Sequence, residues 1–112
     1  MYKTKDIATV LAAAESDLRA SAGAGLGFDL AAAKRRIEAG IAVGDSYVAG
    51  SAAGGTVTVT YVGDGCLRQD INGGTHDGHS QTAQAQPRHL DAMLTVLAVG
   101  AAKRGSSMHP GR

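Results

Sequence analysis

Residues 56–62, TVTVTYV, alternate threonine with an apolar residue, and after GDG the segment CLRQDI takes up the same period of two. Alternation puts Val57, Val59 and Tyr61 on one face of a strand and Thr56, Thr58 and Thr60 on the other. Gly63-Asp64-Gly65 supplies the residues that a tight hairpin turn requires. Leu67 and Ile71 then return to the apolar side. The pattern predicts a β-hairpin over 56–71, and the rest of the chain has to be arranged around its single apolar face.

Elsewhere the apolar residues recur at helical spacing. In residues 4–20, TKDIATVLAAAESDLRA, the side chains of Ile7, Val10, Leu11, Ala14 and Leu18 form one stripe, with Thr4 placed to cap the start. SAGAGLG (21–27) breaks that helix, because successive glycines weaken a helix and permit positive φ. Asp29 caps a second helix over 30–39, which carries Leu30, Ala33 and Ile37 on one face and ends at Gly40. Residues 41–49, IAVGDSYVA, are a candidate third strand weakened by Gly44, and GSAAGG (50–55) reads as a flexible joint. Pro87 suits the first turn of a last helix, about 88–104, with Leu90, Met93, Leu94, Leu97 and Ala101 in a wide stripe. Gly105 is placed to end it, leaving 106–112 as a flexible basic tail. The expected fold class is therefore α+β: two N-terminal helices, a small antiparallel sheet of two to three strands with helices over one face, and a C-terminal helix, all in one domain over residues 1–105.

Composition decides how such a domain could be stable. The chain has 112 residues, 44 % of them hydrophobic, but the apolar share is mostly alanine, with one Phe and no Trp. Alanine buries little area and aromatics carry much of a normal core, so the interior of a lone copy is thin. Burial against a second copy is the natural remedy, and a homo-oligomer, most simply a symmetric homodimer, is expected. The single cysteine, Cys66, leaves no internal disulfide and fits a reducing compartment. MYKTKDIATVLAAAESDL is basic and then apolar, but Asp6, Glu15 and Asp17 interrupt it, so it is neither a signal peptide nor a membrane span. These features lead us to expect a cytoplasmic protein, of a bacterial cell or a phage-infected host, with no membrane partner.

Several stretches invite a chemical reading. NGGTHDGHSQTAQAQP (72–87) holds His76 and His79 in an H-x-x-H spacing, with Cys66 and His89 on either side. Imidazole and thiolate are the ligands zinc prefers, so His76, His79, His89 and Cys66 form a candidate metal set. The composition of the stretch favours a long solvated connection instead, and loops of this length are often functional or disordered. GAGLG (23–27) precedes a helix, but no strand comes before it and no Lys-Ser/Thr follows, so it is neither a dinucleotide fingerprint nor a P-loop. Cys66, or Ser46 in GDSYVAG, could be nominated as a nucleophile, yet the pattern cannot build the α/β sandwich that small esterases with a GDS block use. Paired carboxylates at useful spacing are absent. The expectation is a protein with no catalytic residues, no cofactor and no enzymatic activity.

Basic residues are the remaining signal. Lys34, Arg35 and Arg36 cover about 200° of the second helix, so part of the cluster must face solvent. Arg88, Lys103 and Arg104 flank or end the last helix, where cations also complement the helix dipole. The formal net charge is only +1, but Lys103, Arg104 and Arg112 follow the last acidic residue, Asp91. These positions are ordinary solvated charge and capping, or a phosphate-contacting rim doubled by dimer symmetry.

GGTVTVTYVGDGCLRQDIN (54–72), followed by HLDAMLTVLAVGAAKRGS (89–106), resembles the YbaB/EbfC nucleoid-associated proteins. Gly55, Val57, Val59, Gly63, Ile71, Ala101, Ala102, Lys103 and Arg104 stand at the places of that family's strand, glycine turn, returning strand and C-terminal A-A-[KR]-R helix end. The resemblance covers about a third of the chain. It implies a dimer that shares a β-sheet and binds duplex DNA without strong sequence preference. The chain departs from the family in the break at 21–27, in the inserted IAVGDSYVAG, and in lacking Asp-Pro after Ile71. Two classes of function follow: a homo-oligomeric nucleic-acid-associated module, or a phage-type assembly, adaptor or sequestering protein that binds a host factor or small nucleotide.

Overall fold

The computed structural model describes residues 1–22 and 27–107. The glycines of 23–26, and Arg112 with the other residues of 108–112, lie outside the described residues, so the expected helix break is described only at its flanks and the basic tail only at its start. The fold is α+β. The chain divides into two compact units: a sheet unit, Met1–Tyr2 with Ile41–Leu90, and a helical unit, Lys3–Gly40 with Asp91–Arg112.

The sheet unit is a four-stranded antiparallel meander. Its strands are β1 (Ser46–Ala52), β2 (Gly55–Gly63), β3 (Cys66–Asn72) and β4 (Ser80–Gln84), neighbours in that order. The 56–71 hairpin stands as read: Val57 pairs with Ile71 and Tyr61 with Leu67, and Val57 and Tyr61 are buried. Asp64 and Gly65 form its two-residue turn, both at positive φ, which matches the twist of the flanking strands. The sheet has one strand more than the two to three expected, β4, and the candidate third strand is displaced. GSAAGG is not a joint: β1 runs through Ala52 and turns at Ala53 and Gly54, again both at positive φ. The candidate strand 41–49 shifts toward the C-terminus accordingly. Ile41 instead makes a short bridge with Tyr2, and Val43 and Gly44 form a turn whose Asp45 carboxylate accepts the Ala42 N–H at 2.8 Å.

The stretch 72–86 is likewise not a structureless connection. Residues 73–79 fold into a compact turn, in which Asp77 accepts the Gly73 N–H and Gly78 donates to the Ile71 carbonyl at 2.8 Å, and β4 then pairs with β3. This turn lies against the β1–β2 turn: the Thr75 N–H donates to the Ala53 carbonyl at 3.1 Å. The approach is backbone on backbone. A methyl group built on Gly55 would fall on the Gly73 carbonyl, and one on Gly74 would fall on the Ala53 carbonyl and the Gly55 nitrogen.

The helical unit contains α1 (Ile7–Ala22), α2 (Leu30–Ala39) and most of α3 (Pro87–Ser107), whose first turn belongs to the sheet unit. Asp6, not Thr4, caps α1: its carboxylate accepts the Thr9 N–H at 3.1 Å, while the Thr4 hydroxyl accepts from Asp6 itself. The helix starts three residues late because the side chain that reaches its free N–H groups sits at residue 6. α2 has the expected bounds, with Asp29 as N-cap and Gly40 at φ 80 as C-cap. α3 starts at Pro87 and runs through Gly105 to Ser107, so Gly105 does not stop it. Buried residues follow the stripes in α1 (Val10, Ala14, Leu18) and α2 (Ala33, Ile37); in α3 Met93 and Leu94 are buried as expected, but the buried face continues through Ala98 and Ala102, while Leu97 and Ala101 are half-buried. Among the described residues no helix is long and apolar enough to cross a membrane.

Candidate functional site

The helical unit carries two exposed basic segments, on α2 and on α3. The Asp29 carboxylate accepts the Ala32 N–H at 3.0 Å, and the Asp29 N–H donates to the Ala102 carbonyl at 3.1 Å. That second bond ties the start of α2 to the late turns of α3. Lys103 and Arg104 follow Ala102 directly, and Lys34 and Arg35 stand about one and a half turns into α2, at 1.5 Å of rise per residue. All four side chains are exposed. The Arg104 guanidinium lies back over Gly100.

Arg36 does not join them. It is half-buried, and its Nη1 donates to the Gly40 carbonyl at 2.6 Å, which closes the C-terminal end of α2. Arg88 is exposed and stands in the first turn of α3, which belongs to the sheet unit. Charge follows the same division. By sequence, the helical unit holds nine Lys and Arg against six Asp and Glu, and the sheet unit two against four. The overall +1 is thus the sum of a basic unit and an acidic one.

The candidate metal residues are not assembled. Cys66 begins β3 opposite Gln84, whereas His76 and His79 lie in the turn at the far end of the same hairpin, past Asp70 and Ser80. Four strand steps separate the two ends, about 13 Å at 3.3 Å per residue. His89 falls near the Cys66 end, where its Nδ1 accepts the Gln86 N–H at 3.4 Å, a capping-box arrangement at the start of α3 with histidine in the usual Glu position. Among the described residues no group of three or more His, Cys, Asp or Glu could hold a metal ion. The Cys66 thiol donates to the Asp64 carbonyl at 3.7 Å, and Ser46 is an exposed residue of β1 opposite Thr60.

A polar cleft that the sequence reading did not single out lies on the threonine face of the sheet. It has a volume of ≈ 310 Å³ and is lined by Thr58, Arg68, Asp70, Asn72 and His79, among others. Arg68 Nε and Asp70 Oδ2 are 2.9 Å apart. The Ser80 hydroxyl, first, and Arg68, second, hold the Asp70 carboxyl below the ordinary carboxylate range. Period-two spacing places Arg68 and Asp70 on one face, but Ser80 joins them only through the β3–β4 register, which no sequence pattern announces.

No family model, no curated protein and no solved structure matches the chain.

Proposed function

We propose that this protein is a non-enzymatic, homo-oligomeric binding protein that associates with duplex DNA through the basic end of its helical unit. The observation that supports the reading is that Lys34, Arg35, Lys103 and Arg104 are all exposed on two helices that the Asp29–Ala102 hydrogen bond joins. Exposed cations can neutralise phosphates and release their counterions, and that release drives binding without regard to sequence. The resemblance to the YbaB/EbfC proteins agrees with such a role. Arg36 and Arg88, part of the basic set read from the sequence, are assigned respectively to capping α2 and to the sheet unit.

The test is duplex DNA binding, followed by fluorescence anisotropy at two salt concentrations. Four phosphate contacts per copy predict a fall in affinity of about 10²-fold between 50 and 200 mM salt if one copy engages the duplex, and about 10⁴-fold if both copies of a dimer do. Replacing Lys34, Arg35, Lys103 and Arg104 together by alanine removes that salt dependence, and Arg88→Ala leaves it in place. Absence of binding at low salt, or an unchanged salt slope in the fourfold variant, defeats the proposal. An exposed large apolar side chain in the sheet unit, Val48 of β1 at 65 %, favours the second reading, a phage-type assembly or adaptor protein. A ring-shaped assembly with no DNA binding at any salt would select it.

A further inference from the structure

β4 is one edge of the sheet, and nothing in its sequence guards that edge. All five residues, Ser80–Gln84, are exposed; none is charged and none is proline or glycine. Edges that must stay single normally carry lysine, proline or a bulge. The opposite edge has such a device, since β1 slips register between Val48 and Gly50.

The phase of the ladder tells which backbone groups of β4 are unused by β3. In an antiparallel pair, residues that exchange bonds with the neighbouring strand alternate with residues whose N–H and C=O point away from it. The Ile71 N–H donates to the His79 carbonyl at 2.9 Å, and the Ala85 N–H donates to the Gly65 carbonyl at 2.8 Å. Both pairs share the register of Gln69↔Gln81 and Leu67↔Ala83. His79, Gln81, Ala83 and Ala85 therefore turn their backbone groups to β3, and Ser80, Thr82 and Gln84 aim theirs outward.

We propose that two copies of this chain pair β4 against β4, antiparallel, about a two-fold axis through Thr82. This rests on the homo-oligomeric part of the function proposed above and goes beyond it by naming the interface. A two-fold contact requires a strand complementary to its own reverse. Centred on Thr82, Ser80 stands opposite Gln84 of the second copy and Thr82 opposite its counterpart, and each of these is an outward-bonding residue. The three pairs can exchange roughly six N–H···O bonds. No like charges meet, and threonine opposite threonine is a favourable cross-strand pair. β4 lies outside the two segments, 54–72 and 89–106, that carry the resemblance to the YbaB/EbfC proteins, so the assignment comes from the ladder alone. The product is one continuous eight-stranded sheet with no unguarded edge.

The test is residue-resolved amide hydrogen exchange against protein concentration, beside sedimentation velocity. At high concentration the amides of residues 80, 82 and 84 are protected together with those of 81 and 83; dilution releases 80, 82 and 84 alone. Thr82→Pro removes an N–H that β3 does not use, so it weakens self-association about tenfold or more while 81 and 83 stay protected. Should proline disturb β4, Thr82→Lys is the second probe. It sets two ammonium groups together at the axis, and it weakens association at low salt more than at high salt. A dimer whose 80, 82 and 84 amides stay unprotected, or which forms equally well with both variants, places the contact elsewhere and overturns this interface while leaving the homo-oligomer standing. A monomer at all concentrations overturns both. Protection of these amides only upon adding an unrelated extended peptide overturns the self-pairing as well.

Discussion

Of the thirteen buried hydrophobic residues among those described, nine belong to the helical unit, including Leu18, Ile37, Met93 and Leu94; the sheet unit has Ile41, Val57, Tyr61 and Leu90. The helical unit is thus organised by side chains that fill space. The sheet unit is organised largely by its backbone: ladders, two turns of two residues, and a contact between turns where Gly55 and Gly74 must lack side chains. The difference teaches how a chain poor in large residues can still specify a fold. Where large side chains are few, close backbone approach replaces them, and glycine becomes as position-specific as leucine is in a core.

Two substitutions set the units against each other, and they carry the largest effects. Gly74→Ala adds one methyl group at φ 71, against the Ala53 carbonyl and the Gly55 nitrogen. Left-handed strain plus overpacking should cost about 3–5 kcal/mol. Leu18→Ala removes a fully buried side chain from the helical unit and should cost about 3 kcal/mol. Urea unfolding followed by far-UV circular dichroism gives the totals, and amide exchange shows which unit each variant loosens. A Gly74→Ala protein as stable as the parent would mean that the turns do not pack, and the contrast between the units would fail.

The same difference explains what could be read from the sequence. The stripes Val10-Ala14-Leu18 and Ala33-Ile37, and the run Leu90-Met93-Leu94, reveal helices because burial imposes their spacing. Asp29 and Gly40 mark the ends of α2, the first because its carboxylate accepts the Ala32 N–H and the second because φ 80 favours glycine. β2 and β3 were legible for a similar reason, since one face of each is at least partly buried. β4 is exposed at every residue, so no hydrophobic alternation marks it. Its place is fixed by the 73–79 turn and by backbone bonds, to which side-chain patterns are blind. The basic residues were visible as types. Their separate settings were not: neither Arg36's capping role nor the place of Arg88 in the sheet unit shows in a charge run. The histidine spacing suggested a metal set that the β3–β4 register draws apart.

The smallest expected effect concerns acid, and it touches each unit at a single carboxylate. Hydrogen bonds from Thr9, side chain first and then backbone, lower the pKa of Asp6 at the start of α1. The Ser80 hydroxyl and then Arg68 do the same for Asp70 in the sheet. A carboxyl group whose folded pKa lies below its unfolded value stabilises the fold above the unfolded value, near pH 4, and that contribution is lost as pH falls through the folded one. Both groups are open to solvent, so global stability should change little. Local protection is the sensitive readout. On acidification below about pH 4, amides of β4 that depend on the Ser80–Asp70 link should exchange faster, and so should the first turn of α1. Asp70→Asn should make β4 protection independent of pH over that range while leaving the response of α1 intact. If β4 in the Asn variant still loosens with acid as the parent does, Asp70 is not what fastens the edge strand, and the pairing of β3 with β4 holds through its backbone alone.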